Sequence, residues 1–207
     1  MGADDKNDSY ACKLEHKMYI YIYILIKPSF YSLMSTLAFD VGTVNMCLCV
    51  AEHGHVRHWS LFSIGAKNDP LAKLIEQLLA VLQQQAESIG RVQHVRIEQQ
   101  LGRAATKNFA LSAAIFAYCL MKYPDADTQY VNPRRKFKLL GAMTDVPGIS
   151  ERSEEILNTR GRSLKKLAVE LSKALAEHND DTPYMLQLAS LSKKDDLSDC
   201  HLMACLC

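Results

Sequence analysis

The chain lacks a CxxC pair, a bilayer-length apolar run and a large net charge of either sign. Each absence removes a class of protein. Seven cysteines (Cys12, Cys47, Cys49, Cys119, Cys200, Cys205 and Cys207) are an odd number at spacings that fit no standard zinc finger. A disulfide framework is therefore not expected, which places the chain in a reducing, intracellular compartment. His53, His55 and His58 lie near Cys47 and Cys49 but read as a polar hairpin. Met18–Ile26 is apolar and β-prone, yet spans only nine residues, where a membrane helix needs about 20. No small-residue cleavage site marks it as a signal peptide. No internal repeat or low-complexity tract follows residue 34.

What remains is an ordinary globular mix: 207 residues, 48% apolar and 23% charged. That length suits one medium domain with a real core. The net charge of +1 is composite. Residues 132–173 carry 10 basic and 5 acidic groups, whereas residues 174–207 carry 2 and 6. Residues 1–35 read as a dispensable or disordered extension, because Met34 begins MSTLAFDVG, a natural first strand. The domain is expected over residues 36–207.

A short apolar run before Gly42 predicts a strand at Leu37–Asp40, β-rich composition a pairing strand at Val44–Val50, and alternation a third at Val56–Ile64, with a turn at Glu52–His55. Asp69 and Pro70 read as the N-cap and first residue of a helix whose apolar positions run from Leu71 to Leu82. Val92–Glu98 is a buried strand and Thr106–Lys122 an apolar helix ended by Pro124. Thr128–Val131 is a short strand. A short helix at Arg134–Leu140, a loop at Gly141–Ser150, a helix from Glu151 to about Glu177 and a last helix at Asp195–Leu206 complete the order. The class is α/β: a mixed sheet of three antiparallel strands, then parallel ones, flanked by helices.

Carboxylates at strand ends carry the chemistry. Asp40 sits in FDVGT and Glu98 in VRIEQQ, both in apolar runs where an unpaired charge is costly. Gly42 lets the chain turn and approach a ligand closely. Asp196 and Asp199 stand three apart on the last helix and share a face, with Asp195 about 100° away. Four converging carboxylates repel one another unless cations neutralise them. Two hard divalent ions, Mg²⁺ or Mn²⁺, would make such a set a two-metal site for phosphodiester cleavage.

These residues resemble the RuvC-like Holliday junction resolvases of the RNase H-like fold, most closely the poxvirus-type and related large-DNA-virus branch. The resemblance runs over Thr36–Cys207. It rests on FDVGTVN at Phe39–Asn45, IEQQ at Ile97–Gln100, VNPRRKFKLLG at Val131–Gly141, SLKKLAVEL at Ser163–Leu171 and KKDDLSD at Lys193–Asp199. It implies a structure-specific endonuclease that resolves four-way DNA junctions by paired nicks, in recombination or viral genome processing at the viral replication site. It also implies that Asp40, Glu98, Asp196 and Asp199 are metal ligands, and that Lys166 or Lys165 stabilises transition-state charge. A homodimer follows, because a four-way junction is two-fold symmetric. The apolar helix at Ala110–Leu120 is a candidate interface.

Arg134, Arg135, Lys136, Lys138, Arg160, Arg162 and Lys165 form a basic cluster, with Arg152 and Lys166, suited to gripping a phosphate backbone. Phe137, between basic residues, is a candidate DNA wedge. Three rival readings remain. An actin-like ATPase would need about twice this length and a second Asp-x-Gly-Thr, which is absent. A YqgF-like nuclease acting on RNA shares the first motif only. A non-catalytic nucleic-acid-binding module would not need all four carboxylates.

Overall fold

The computed structural model describes residues 35–100, 106–134, 136–137 and 162–206. The expected extension, the loop at Gly141–Ser150 and the start of the helix expected from Glu151 lie outside them.

Five strands form one sheet: β1 (Ser35–Asp40), β2 (Met46–Glu52), β3 (His55–Phe62), β4 (His94–Glu98) and β5 (Asp127–Val131). Their order is β3-β2-β1-β4-β5. The β1–β2 and β2–β3 pairs are antiparallel, and β1–β4 and β4–β5 are parallel. The expected mixed sheet is thus the observed one. The β2–β3 hairpin turns at His53 (φ 55°) and Gly54 (φ 79°), the left-handed pair that matches strand twist in a two-residue turn.

The helices are α1 (Leu71–Ile89), α2 (Thr106–Lys122), α3 (Arg162–His178), α4 (Thr182–Ser190) and α5 (Asp195–Ala204). The central strands are buried on both faces, which is why β1 and β2 read as nearly continuous apolar runs. Alternation sorts their side chains. Leu37, Phe39, Leu48 and Val50 pack with Leu74, Leu78 and Leu82 of α1 and with Leu111 and Ile115 of α2. Ala38, Cys47, Cys49 and Ala51 pack with α3, α4 and α5. Each fully buried leucine contributes about 1.5–3 kcal/mol.

The second face is lined by small side chains, and this determines how near α5 comes. The Cys200 thiol donates to the Ala38 carbonyl at 3.2 Å and the Cys47 carbonyl at 3.5 Å. A helix within reach of strand carbonyls brings the preceding residue, Asp199, to the end of the sheet. The CxC spacing therefore serves packing: Cys47 and Cys49 are buried free thiols on one face.

Two local expectations are corrected. Pro70 takes the N-cap position of α1, without a side-chain cap. Asp69 turns back instead, accepting from the Ala66 amide at 2.9 Å and pairing with Lys73 at 3.1 Å. Helix α4 was not expected. Its signal was Asp181-Thr182-Pro183, an N-cap followed by proline in the first turn. The Asp181 carboxylate accepts from the Tyr184 amide at 3.2 Å and also from the Val56 amide at 2.6 Å, tying α4 to the edge strand. Among the described residues no helix is long and apolar enough to cross a membrane.

Candidate active site at the carboxyl end of the sheet

Parallel pairing of β1 with β4 aligns Phe39 with Ile97. The next residue on each strand is a carboxylic acid. Asp40 and Glu98 are thus neighbours where two parallel strands end, both pointing away from the Phe39–Ile97 face. Gly42 permits the turn that follows: a Cβ there would lie 2.4 Å from the Asn45 carbonyl oxygen.

Two further side chains complete the cluster. Asp199 comes from α5. Lys136 comes from a turn after β5, in which the Arg134 amide donates to Asn132 Oδ1 at 3.0 Å and the Lys136 amide to the Asn132 carbonyl at 3.2 Å. Lys136 Nζ lies 2.7 Å from Asp199 Oδ1 and 3.5 Å from Glu98 Oε1. Its side chain is 2% exposed.

The electrostatics follow from burial. Burial pushes the Asp40 carboxyl well above the usual carboxylate range, and the charge of Glu98 beside it adds to the shift. Burial also raises Asp199, although Lys136 opposes the rise. Burial disfavours the Lys136 ammonium, but Asp199 and Glu98 outweigh it and keep the lysine charged. Three carboxylates thus surround one buried ammonium.

The other predicted residues fall around this centre. Asp196 lies on α5, largely buried, with its carboxylate held by Lys193 at 2.6 Å. Asp195 pairs with Lys165. Its hydrogen bond to the Asp195 carboxylate raises the Lys165 pKa, and the charges of Asp196 and Asp199 add to the rise. Lys166, expected to be catalytic, is exposed and 4.0 Å from Glu170. Of the two lysines, Lys165 is the one that faces the acidic end of α5, because adjacent helical residues diverge by about 100°.

Two assignments within the basic cluster are corrected. Lys136 is not a rim residue gripping phosphate; it is buried between Glu98 and Asp199. Phe137 is not an exposed wedge: it is 2% exposed and packs against the α3–α5 core, with the Lys136 ammonium 5.3 Å from its ring centre. Alternating basic and apolar residues gave no sign of which would turn inward. Arg134 is exposed, as a phosphate contact must be. Arg162 opens α3. Arg135, Lys138, Arg152 and Arg160 lie outside the described residues.

Among the described residues, no three His, Cys, Asp or Glu side chains stand together as a metal-holding group. The carboxylates are arranged around Lys136 Nζ. Their chemistry nevertheless suits a hard divalent ion: the donors are carboxylate oxygens, they are desolvated, and they already enclose a cation. The histidines do not compete for that role. His58 bonds Gln85 at 2.9 Å and His53 faces Glu52 at 3.8 Å.

The chain matches no protein-family model and no curated protein. Solved structures do match. The yeast mitochondrial Holliday junction resolvase is 18% identical with a TM-score of 0.54, over 84% of this chain and 78% of that one. The fowlpox virus resolvase, in a complex with Holliday junction DNA, is 12% identical with a TM-score of 0.50, over 83% of this chain and 94% of that one. At these identities the likeness is one of fold. The chain has the RNase H-like fold of those resolvases.

Proposed function

We propose that this chain is a metal-dependent endonuclease that resolves four-way DNA junctions by paired symmetric nicks. One observation carries the reading: Asp40, Glu98 and Asp199, from two strands and a helix, gather half-buried around the Lys136 ammonium at the end of an RNase H-like sheet. Its likeness to two junction resolvases supports the choice of substrate. Asp40, Glu98, Asp199 and Asp196 would hold two Mg²⁺ ions. Such ions supply an activated water and stabilise the leaving oxygen of a phosphodiester. The chain's own contribution is placement. The register of β1 and β4 makes Asp40 and Glu98 neighbours, and Asp199 and Asp196 share α5. Lys165 and Arg134 offer positive charge at the rim to the DNA backbone.

A homodimer fits this reading, since two sites are needed for two nicks. The outer face of α2 supports it. Phe109, Ala113, Ala117, Leu120 and Met121 recur at helical spacing and are exposed, Phe109 at 63% and Met121 at 77%. The poxvirus-type branch, with a role in viral genome processing inside the host cell, is the biological setting we favour.

The test is incubation of the full chain with a synthetic four-way junction and Mg²⁺. Paired, religatable nicks are expected, with little cleavage in Ca²⁺, whose looser coordination aligns attack poorly. Random cutting of duplex DNA would replace this reading with a broader nuclease. RNA cleavage would favour the YqgF-like alternative, and junction binding without cleavage a non-catalytic module.

A further inference from the structure

We infer that Lys136 is a built-in cation that holds the acidic cluster together in the metal-free protein and competes with a divalent ion for Glu98 and Asp199. The inference rests on the reading that these carboxylates bind metal. It concerns what that metal must displace.

Among the described residues Lys136 is the lone buried lysine. A buried ammonium is tolerated only when paired, and here the pairing is unusually acidic. Nζ touches Asp199 Oδ1 and Glu98 Oε1 and lies in the field of Asp40. The Phe137 ring lies alongside, where its face favours a cation. The turn that carries Lys136 is anchored through Asn132, next to Val131, which is level with Glu98 in the β4–β5 pair. The ammonium is therefore placed by the same sheet end that places the carboxylates.

Without that charge, three desolvated carboxyl groups would face one another with nothing between them. With it, they are held near one point before metal arrives. Glu98 Oε1 and Asp199 Oδ1 would have to be shared between the two cations. A Mg²⁺ ion needs oxygens at about 2.0–2.1 Å, and it would sit within a few ångströms of Nζ, where two positive charges repel strongly in a poorly solvated site. Metal entry at Glu98 and Asp199 thus requires Nζ to withdraw. Lys136 sets metal affinity from within.

The test is Mn²⁺ binding to the full chain without DNA, by calorimetry after chelator treatment. Lys136→Met keeps the bulk of the stem and removes the charge. It should bind Mn²⁺ roughly tenfold or more tighter than wild type, as loss of one close like charge predicts. Its melting temperature should fall in chelator and rise more steeply with added Mn²⁺. Unchanged or weaker Mn²⁺ binding by Lys136→Met would overturn the inference. If that variant does not fold in chelator, Lys136→Arg decides. A larger cation that can bond both carboxylates should weaken Mn²⁺ binding, and affinity equal to wild type would overturn the idea. Tighter binding by the variant alongside a wild type that never cuts junctions would leave this inference standing and remove the proposed function. No Mn²⁺ binding by either protein would remove the metal-site reading and this inference together.

Discussion

Asp40 and Glu98 stand side by side at the ends of adjacent parallel strands, and the Glu98 charge adds to burial in holding the Asp40 carboxyl above its usual range. Like charges that close disfavour the ionised form of Asp40 unless a cation offsets them. Burial and its acidic neighbours hold the Asp40 carboxyl well above the usual carboxylate range, so a bound divalent ion would stabilise its ionised form. Asp40→Asn should therefore abolish cleavage while leaving junction binding intact. A loss of roughly a thousandfold or more is expected, because metal-held charge stabilisation is worth several kcal/mol. A nicking assay beside a gel-shift assay checks this; unchanged cleavage would refute the active-site assignment.

Lys165 and Lys166 should behave differently despite being adjacent. Lys165 faces Asp195 and the acidic end of α5, whereas Lys166 faces solvent and Glu170. Lys165→Ala is expected to lower the cleavage rate by roughly tenfold or more, the scale of one lost charge contact near a reacting phosphate. Lys166→Ala should change the rate less than twofold. Single-turnover rates on a four-way junction distinguish them, and the reverse ranking would restore Lys166 as the functional lysine.

The exposed stripe on α2 should be covered by a second copy. Phe109→Asp combined with Met121→Asp places two charges on a face that is otherwise apolar. Sedimentation should show wild type as a dimer and the double variant as a folded monomer. A monomeric wild type at micromolar concentration would remove the dimer.

Asp181 stabilises two elements with one side chain. Its Oδ1 accepts from the Tyr184 amide at the start of α4, and its Oδ2 from the Val56 amide of β3. Asp181→Ala removes a helix cap, about 1 kcal/mol, and strips the Val56 amide of its partner, about 1–3 kcal/mol. Urea unfolding should show a loss of about 2–4 kcal/mol in total. A loss under 1 kcal/mol would show that water replaces both bonds.

His201 makes the fold sensitive to acid. Its ring is fully buried beside Tyr184 and accepts or donates at Ser172 Oγ, 2.9 Å away. Burial pushes its pKa down to about 4. The unfolded chain therefore takes up this proton near pH 6.5, and the folded chain does so only near pH 4. Stability from His201 is complete above pH 6.5 and drains away as pH falls through that window, by about 3 kcal/mol in all. Comparing urea unfolding at pH 7 and pH 4.5, wild type should lose more stability on acidification than His201→Asn. Equal losses would remove His201 as the cause.

Much of the fold was legible in the chain. Alternation marked β3, β-rich composition marked β2, helical spacing of leucines marked α1, and apolar runs ending in Asp40 and Glu98 marked the strands that carry the site. Local signals are short-range, so they also misled where two readings were local equals. Asp69-Pro70 resembled an N-cap but served a loop, and Asp181-Thr182-Pro183 was a true cap that went unread. The sequence by itself determined which carboxylates exist, and placed Asp196 and Asp199 on one helical face, because helix geometry is fixed by spacing. Only the tertiary structure decided what each acid meets. Asp199 met the ammonium of a lysine 63 positions away in the chain, and Asp196 a lysine three positions away. Lys136 and Phe137 turned inward, while Arg134 stayed in water. Partner choice in a buried cluster depends on desolvation and on charges brought from distant elements, and no local pattern encodes either.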